Sequence, residues 1–285
     1  MGAKNASLWS TKAIQNAAMS TGRTLEVKVA SAFTKAQWAV LLNSYYSDVV
    51  TGATREVDVT AQRGSQQFDG RWAHCNFQIH LSCRSFPPGC RPVMYVTSKD
   101  ADSFSECAKP RCLFFSHRQL ANEPRYGEKL GYYLMEDLFG KGVHVPRIVA
   151  FDVYEEDGKG IKPRGDRKMK GDRDSLFPAM DSAIKSAAYW WTVESRLSAD
   201  LYSAYVPVLV LSEPWLQVSI DKSEAPTSSE VGLGFMMMGY PLSGVQGTPE
   251  WFMTLVINVE SLPRLLGVLD RLHSMFLFDV SQVKQ

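Results

Sequence analysis

The chain has 285 residues, 45% of them hydrophobic. This is enough apolar material to bury a core, and it excludes a chain that is disordered throughout. The formal net charge is +1 at pH 7. That balance excludes a polybasic nucleic-acid binder, so any contact with nucleic acid must use a local patch.

Localisation follows from the apolar runs and the cysteines. The N-terminus lacks the continuous apolar run of a secretory signal, and no later segment is long enough to span a bilayer. We therefore expect no membrane contact. The chain has five cysteines. This odd number in a long chain predicts reduced thiols and a cytoplasmic protein.

The first hundred residues predict one helix followed by strands. Leu25, Val29 and Phe33 recur at helical spacing within residues 24–37. The segments after this helix alternate apolar and polar side chains, which is typical of half-buried strands. The order predicts an α+β core in which an antiparallel meander lies beside a helix. The predicted strands are residues 38–46, 55–61, 77–84 and 93–97, with a polar loop at 62–71.

The second half of the chain predicts further helices and strands around this core. The predicted helices are residues 126–139, 174–205 and 261–276, and the predicted strands are residues 147–154, 207–211, 216–220 and 251–258. The expected fold class is α/β with an α+β core, in which a mixed central sheet is flanked by helices. Residues 1–158 would form the core and residues 159–173 a basic loop. Residues 174–285 would extend the same domain or form a small C-terminal subdomain.

Polar residues of three consecutive elements form the candidate site. Glu26 lies on the first helix, and Asp58 lies on the polar face of the second strand. The polar face of the third strand carries His80, Ser82 and Arg84. A helix packed on a curved meander brings such groups to one edge of the sheet. Between a structural, hydrogen-bonded histidine and a backup base, we favour the structural histidine for His80.

Residues 25–29, 55–59 and 79–85 resemble the three core motifs of the PD-(D/E)XK (restriction-endonuclease-like) nucleases. In that family a helical Glu, a strand Asp and a Glu-x-Lys on the next strand build one metal-dependent site. The resemblance implies that Glu26 and Asp58 hold Mg²⁺, which neutralises the scissile phosphate and generates hydroxide. It also implies that Ser82 binds a metal-bound water and that Arg84 stabilises the transition state.

The sequence departs from the family pattern at two positions. Ser82 stands where the family has a metal-binding Glu, which weakens a magnesium site because serine is neutral. Arg84 stands where the family has Lys; it can hold a phosphate but cannot act as a base. Glu56 is a candidate to supplement the two remaining carboxylates. We therefore expect a nuclease-like protein that acts on or binds DNA with weakened or lost phosphodiesterase activity.

Two alternatives remain open at this point. A non-catalytic relative would bind DNA or a protein partner without cleavage, and a structural module would only present surfaces, with a homo-oligomer among the possibilities. The basic loop at residues 159–173 is either a phosphate-binding surface or a solvated insertion. Its candidate DNA-binding residues are Lys162, Arg164, Arg167, Lys168 and Lys170.

Zinc is not expected. Cys107, Cys112 and His117 have a loose metal-ligand appearance. Structural zinc sites use more closely spaced pairs of ligands with a second pair nearby, and this segment lacks that spacing.

Overall fold

The computed structural model describes residues 23–64, 66–68, 71–73, 75–86, 89–97, 114–116, 126–140, 147–157, 160–163, 176–197, 202–219, 228–239 and 251–282. Within these ranges no helix is both long and apolar enough to cross a membrane. A 3₁₀ turn at Val259–Ser261 precedes the last helix. The α-helices are α1 (Arg23–Lys35), α2 (Tyr126–Phe139), α3 (Leu176–Leu197) and α4 (Leu262–Gln282).

Fourteen strands lie in the described ranges. The first seven are β1 (Ala39–Ser47), β2 (Thr54–Arg63), β3 (Gln66–Phe68), β4 (Arg71–Ala73), β5 (Cys75–Arg84), β6 (Cys90–Thr97) and β7 (Phe114–Ser116). The remaining seven are β8 (Arg147–Asp157), β9 (Gly160–Pro163), β10 (Tyr202–Leu211), β11 (Trp215–Ser219), β12 (Ser228–Val231), β13 (Leu233–Gly239) and β14 (Trp251–Asn258).

One mixed sheet runs through both halves of the sequence. Its strand order is β1-β2-β5-β10-β14-β13-β8-β6-β11-β12, with β7 paired to β10 and β9 paired to β8. Strands β1, β2 and β5 form an antiparallel meander. Strand β10 then lies parallel to both β5 and β14. The predicted fold class is confirmed: a mixed sheet is flanked by helices, with α1 beside the meander.

Helices cover both faces of the sheet. Helices α1, α2 and α4 pack in one cluster with residues such as Val59 and Leu81. Helix α3 packs on the opposite face, against residues such as Tyr205 and Leu209. Strand β5 is therefore covered on both sides, and its polar residue His80 is completely buried. This corrects the expectation of an open polar face on the third strand: α3 covers that face.

The structure corrects the predictions for three further segments. Residues 62–71, predicted as a loop, contain the end of β2 and the strand β3, which pairs with β4. The predicted helical region at residues 174–205 ends at Leu197, because Tyr202 already begins β10 in the middle of the sheet. The predicted basic loop at residues 159–173 begins with β9, which forms a hairpin with β8.

One strand was predicted correctly but lies elsewhere in the sheet. Residues 93–97 do form part of a strand, β6. They do not continue the meander, because β6 lies between β8 and β11, and β10 takes the position next to β5. A parallel neighbour for β5 requires a long crossover connection, and local patterns carry no information about where such a connection returns.

Candidate functional site

The site lies where β2 and β5 separate. Their backbone ladder pairs Val59 with Leu81 at its last step. One residue further along β2, an Asp58 carboxylate oxygen accepts a hydrogen bond from the backbone amide of Cys83 at 2.6 Å. A side chain thus takes the place of a backbone carbonyl between the two strands. This bond fixes the Asp58 carboxylate at the point of separation.

The neighbouring strand is irregular at the same level. In the β1–β2 ladder, Leu42 pairs with Val59 and Ser44 pairs with Val57, so Asn43 lies opposite Asp58. Asn43 has a φ of 54°, in the left-handed region. Non-glycine residues rarely adopt this conformation inside a strand, and asparagine tolerates it better than most. The backbone of the edge strand is therefore strained directly beside Asp58.

Arg84 contacts the Asp58 carboxylate from β5. Its Nη1 atom lies 3.8 Å from a carboxylate oxygen of Asp58 and donates a hydrogen bond to the Cys83 carbonyl at 3.0 Å. The two side chains are 30% and 21% exposed, respectively. Among the described residues the buried Nε atom of Arg84 has no hydrogen-bond partner. The guanidinium group is thus held at the site by a carboxylate and a carbonyl, and its buried Nε–H donor remains unpaired among the described residues.

Glu26 lies in the first turn of α1 and interacts electrostatically with this pair. Burial raises the pKa of Glu26, and the Asp58 carboxylate raises it further; Arg23 and Arg84 act in the opposite direction, while Glu56 adds to the increase. Burial also raises the pKa of Asp58, against the lowering effects of the Cys83 amide and of Arg84. Glu26, Asp58 and Arg84 therefore interact as one group, which we call the carboxylate–guanidinium site.

Ser82 does not lie at the open part of this site. It is only 1% exposed and pairs in register with Leu209 of β10. Leu209 packs with α3 residues such as Ala179 and Met180, so Ser82 lies on the sheet face that α3 covers. The structure places Asp58 and Arg84 in contact, and their charges act on Glu26, while the hydroxyl group of Ser82 lies in the interior.

The residues present fit a magnesium ion poorly. Magnesium needs oxygen ligands in near-octahedral geometry and retains several waters. One oxygen of Asp58 already accepts the Cys83 amide and faces Arg84. Within the described residues, no group of three or more His, Cys, Asp or Glu side chains is arranged to hold a metal ion. Glu26 and Asp58 are the carboxylates that would hold one, with Glu56 exposed nearby.

His80 and the described cysteines have structural roles. His80 is fully buried under α3, and its Nδ1 atom lies 2.9 Å from the Ser186 hydroxyl. Burial lowers the pKa of His80 to about 3, so the imidazole stays neutral near pH 7. Cys75, Cys83 and Cys90 are buried. Burial raises the pKa of Cys83 well above its ordinary value, which leaves the thiol unreactive.

The predicted DNA-binding loop and the loose cysteine segment fall mostly outside the described residues. Lys162 lies on β9, opposite Glu155 of β8. Outside the described ranges lie Arg164, Arg167, Lys168, Lys170, Cys107, Cys112 and His117.

Sequence reasoning missed three residues that shape the site. No sequence pattern predicts the left-handed backbone of Asn43, because that conformation depends on the strands around it. Ser182 and Lys185 of α3 contact the segment that leads to Asp58 from more than a hundred residues away. The one sequence feature that could have indicated these contacts is Lys185, a charged residue among the apolar residues of α3, because a buried lysine needs a partner.

No family model, curated protein or solved structure matches the chain.

Proposed function

We propose that this chain is a PD-(D/E)XK-like protein that binds DNA, with weakened or lost metal-dependent phosphodiesterase activity. The observation that carries the proposal is the contact between Asp58 and Arg84 where β2 and β5 separate, together with the effect of both charges on Glu26. These residues come from a helix and two adjacent strands, in the order that the family resemblance implies. Burial and neighbouring charges raise the pKa values of Glu26 and Asp58, and perturbed pKa values are common at functional sites.

The weakened activity follows from the charges around Asp58. A metal ion would have to compete with Arg84 for that carboxylate, since the guanidinium group is already 3.8 Å away. The ligand that the family supplies from the third strand is replaced by Ser82, which is buried and neutral. Arg84 also carries hydrogen-bond donors and no acceptor, so it cannot activate a water molecule as a base.

Binding of DNA at this site requires a cation in addition to Arg84. Three carboxylates, those of Glu26, Glu56 and Asp58, oppose the guanidinium groups of Arg23 and Arg84, and carboxylates repel phosphate. We propose that the basic segment at residues 159–173 supplies most phosphate contacts. Arg84 then holds one phosphate near Asp58 through its remaining donors, because guanidinium groups match phosphate oxygens in pairs.

A structural or protein-interaction role is the second candidate, and the edge of the sheet favours it. Strand β1 ends the strand order and pairs only with β2 among the described strands. It contains no charged residue, and its side chains Leu41, Leu42 and Tyr45 are 56%, 46% and 67% exposed. An uncharged edge strand of this kind can accept a strand from a protein partner or from a second copy.

The test is a plasmid assay with Mg²⁺ or Mn²⁺ and a salt series of DNA retention. We expect retention to weaken steeply with salt. It should fall in Arg84→Ala and in Lys168→Ala/Lys170→Ala, and it should survive in Arg84→Lys, which keeps the charge. Slow cleavage that disappears in Asp58→Ala would indicate residual catalysis, whereas equal cleavage in both preparations would indicate a contaminant.

The assay also separates the two candidates. Wild-type protein that retains no DNA even at low salt would overturn the DNA-binding proposal. Sedimentation of the same preparation then tests the second candidate, because pairing through β1 predicts a dimer that Leu41→Lys disrupts.

A further inference from the structure

Helix α3 holds the β1–β2 hairpin through a buried ion pair. The Nζ atom of Lys185 lies 2.7 Å from a carboxylate oxygen of Asp48 and 3.0 Å from Asp181. The Lys185 side chain is 7% exposed and the Asp48 side chain is fully buried. Asp48 also accepts hydrogen bonds from the backbone amides of Val50 and Thr51, at 2.9 and 3.2 Å. The lysine thus anchors the turn that leads into β2.

The same face of α3 reaches the strand residue two positions before Asp58. The Ser182 hydroxyl donates a hydrogen bond to the backbone carbonyl of Glu56 at 2.7 Å. Tyr46 of β1 in turn donates to the Ser182 hydroxyl at 3.4 Å. Ser182 therefore joins α3 to both strands of the hairpin. It lies three residues before Lys185, so the two side chains share one face of the helix.

These contacts limit where Glu56 and Asp58 can lie. Asn43, opposite Asp58, is held in the left-handed region. Between the anchored turn at Asp48 and the last regular β2–β5 pair at Val59, α3 forms a hydrogen bond with the Glu56 carbonyl. The charges of Glu56 and Asp58 act on Glu26 from this segment. The β2 segment that carries Glu56 and Asp58 is therefore held from the sheet face that α3 covers.

We propose that Ser182, supported by Lys185, is a positioning residue that fixes Glu56 and Asp58 at the carboxylate–guanidinium site. The importance of this role for activity rests on the proposed function. The positioning role is independent of that function, because the position of the carboxylates can be measured without DNA. The Glu26 pKa reports that position, since the charges of Asp58 and Glu56 contribute to it.

The experiment is a carbon-detected NMR titration of the Glu26 carboxylate in full-length protein. In Ser182→Ala the Glu26 pKa should fall toward its ordinary value by a few tenths of a pH unit, because the like charges move away. Ser182→Thr keeps the hydroxyl group and should restore the wild-type value. Ser274→Ala, which removes a serine hydroxyl that bonds within α4, is the matched control and should change nothing. Alanine is a better helix former than serine, so α3 stays intact.

Lys185→Met distinguishes displacement from a direct charge effect. Loss of a positive charge alone raises the pKa of a nearby acid, whereas displacement of Asp58 and Glu56 lowers the Glu26 pKa. We expect the pKa to fall in this variant also. A Glu26 pKa that is unchanged in Ser182→Ala, with or without a lower melting temperature, would overturn the proposal and leave Ser182 a purely structural role. DNA retention in the same variants tests the proposed function separately.

Discussion

Replacement of Asp58 by asparagine should stabilise the protein at pH 7. The raised pKa of Asp58 means that folding favours the neutral form of this side chain over the charged form. Asparagine is neutral and has nearly the same shape, and its oxygen can still accept the Cys83 amide. A residue whose charge destabilises the fold is typical of a functional site, where stability is given up for activity.

The magnitude follows from the contacts. Loss of the Arg84 ion pair, with both groups partly exposed, costs about 0.5–1 kcal/mol. The Cys83 amide would donate to a neutral amide oxygen in place of a carboxylate, and this weaker hydrogen bond costs roughly 0.5–1 kcal/mol. In Asp58→Asn the neutral side chain no longer has to bury a charge and is no longer repelled by Glu56. Because the pKa of Asp58 is raised, the free energy gained in this way must exceed the two losses. We expect a net gain on the order of 0.5–1 kcal/mol, which raises the melting temperature by about 1–4 °C.

Thermal melts at two pH values check this prediction. In the wild-type protein the contribution of Asp58 to stability becomes less unfavourable as the pH falls through its folded pKa toward the unfolded value, because the folded state takes up the proton first. The advantage of Asp58→Asn should therefore shrink toward pH 3. Asp137→Asn, which breaks an exposed ion pair with Arg271, is the matched control and should change stability by less than about 0.5 kcal/mol. A loss of 1 kcal/mol or more in Asp58→Asn at pH 7 would refute the reasoning.

The remaining predictions concern the core. Burial lowers the pKa of His80 to about 3 and that of His273 to about 4, so stability should fall as the pH drops below 6.5, by about 1.4 kcal/mol per pH unit for each histidine. Urea unfolding of His273→Gln should show a shallower loss, and an equal slope would contradict this. Gly232→Ala should cost about 1–3 kcal/mol, because the added carbon lies 2.6 Å from Asn258. Gly267→Ala in α4 meets open space and should gain up to about 1 kcal/mol, so the two alanine variants should shift the melting temperature in opposite directions.

Elements with a strong local pattern were predictable from the sequence. The stripe of Leu25, Val29 and Phe33 predicted α1, and these residues are buried against the sheet. The segments Tyr126–Phe139 and Trp251–Asn258 were predicted with the bounds that the structure has. Tyr126–Phe139 has apolar residues at helical spacing, and Trp251–Asn258 is a short, nearly continuous apolar run of the kind found in buried strands, so local sequence suffices.

Long-range pairing was not predictable. The run through Tyr202 continued a helical pattern, but β10 is buried on both faces between β5 and β14, where burial rather than periodicity decides the structure. The same pairing places α3 over His80 and Ser82. At the site, the roles of Glu26, Asp58 and Arg84 stay a prediction from the sequence. The left-handed Asn43 and the support from Ser182 depend on contacts between distant segments, so no local pattern indicates them.

The most direct measurement is the titration of Glu26 in the wild-type protein and in Asp58→Asn. If the helical and strand carboxylates share one site, Glu26 titrates above its ordinary value in the wild-type protein, and its pKa falls when the charge of Asp58 is removed. A Glu26 that titrates at its ordinary value in both proteins would show that the two carboxylates do not meet, and the nuclease-like interpretation would fail.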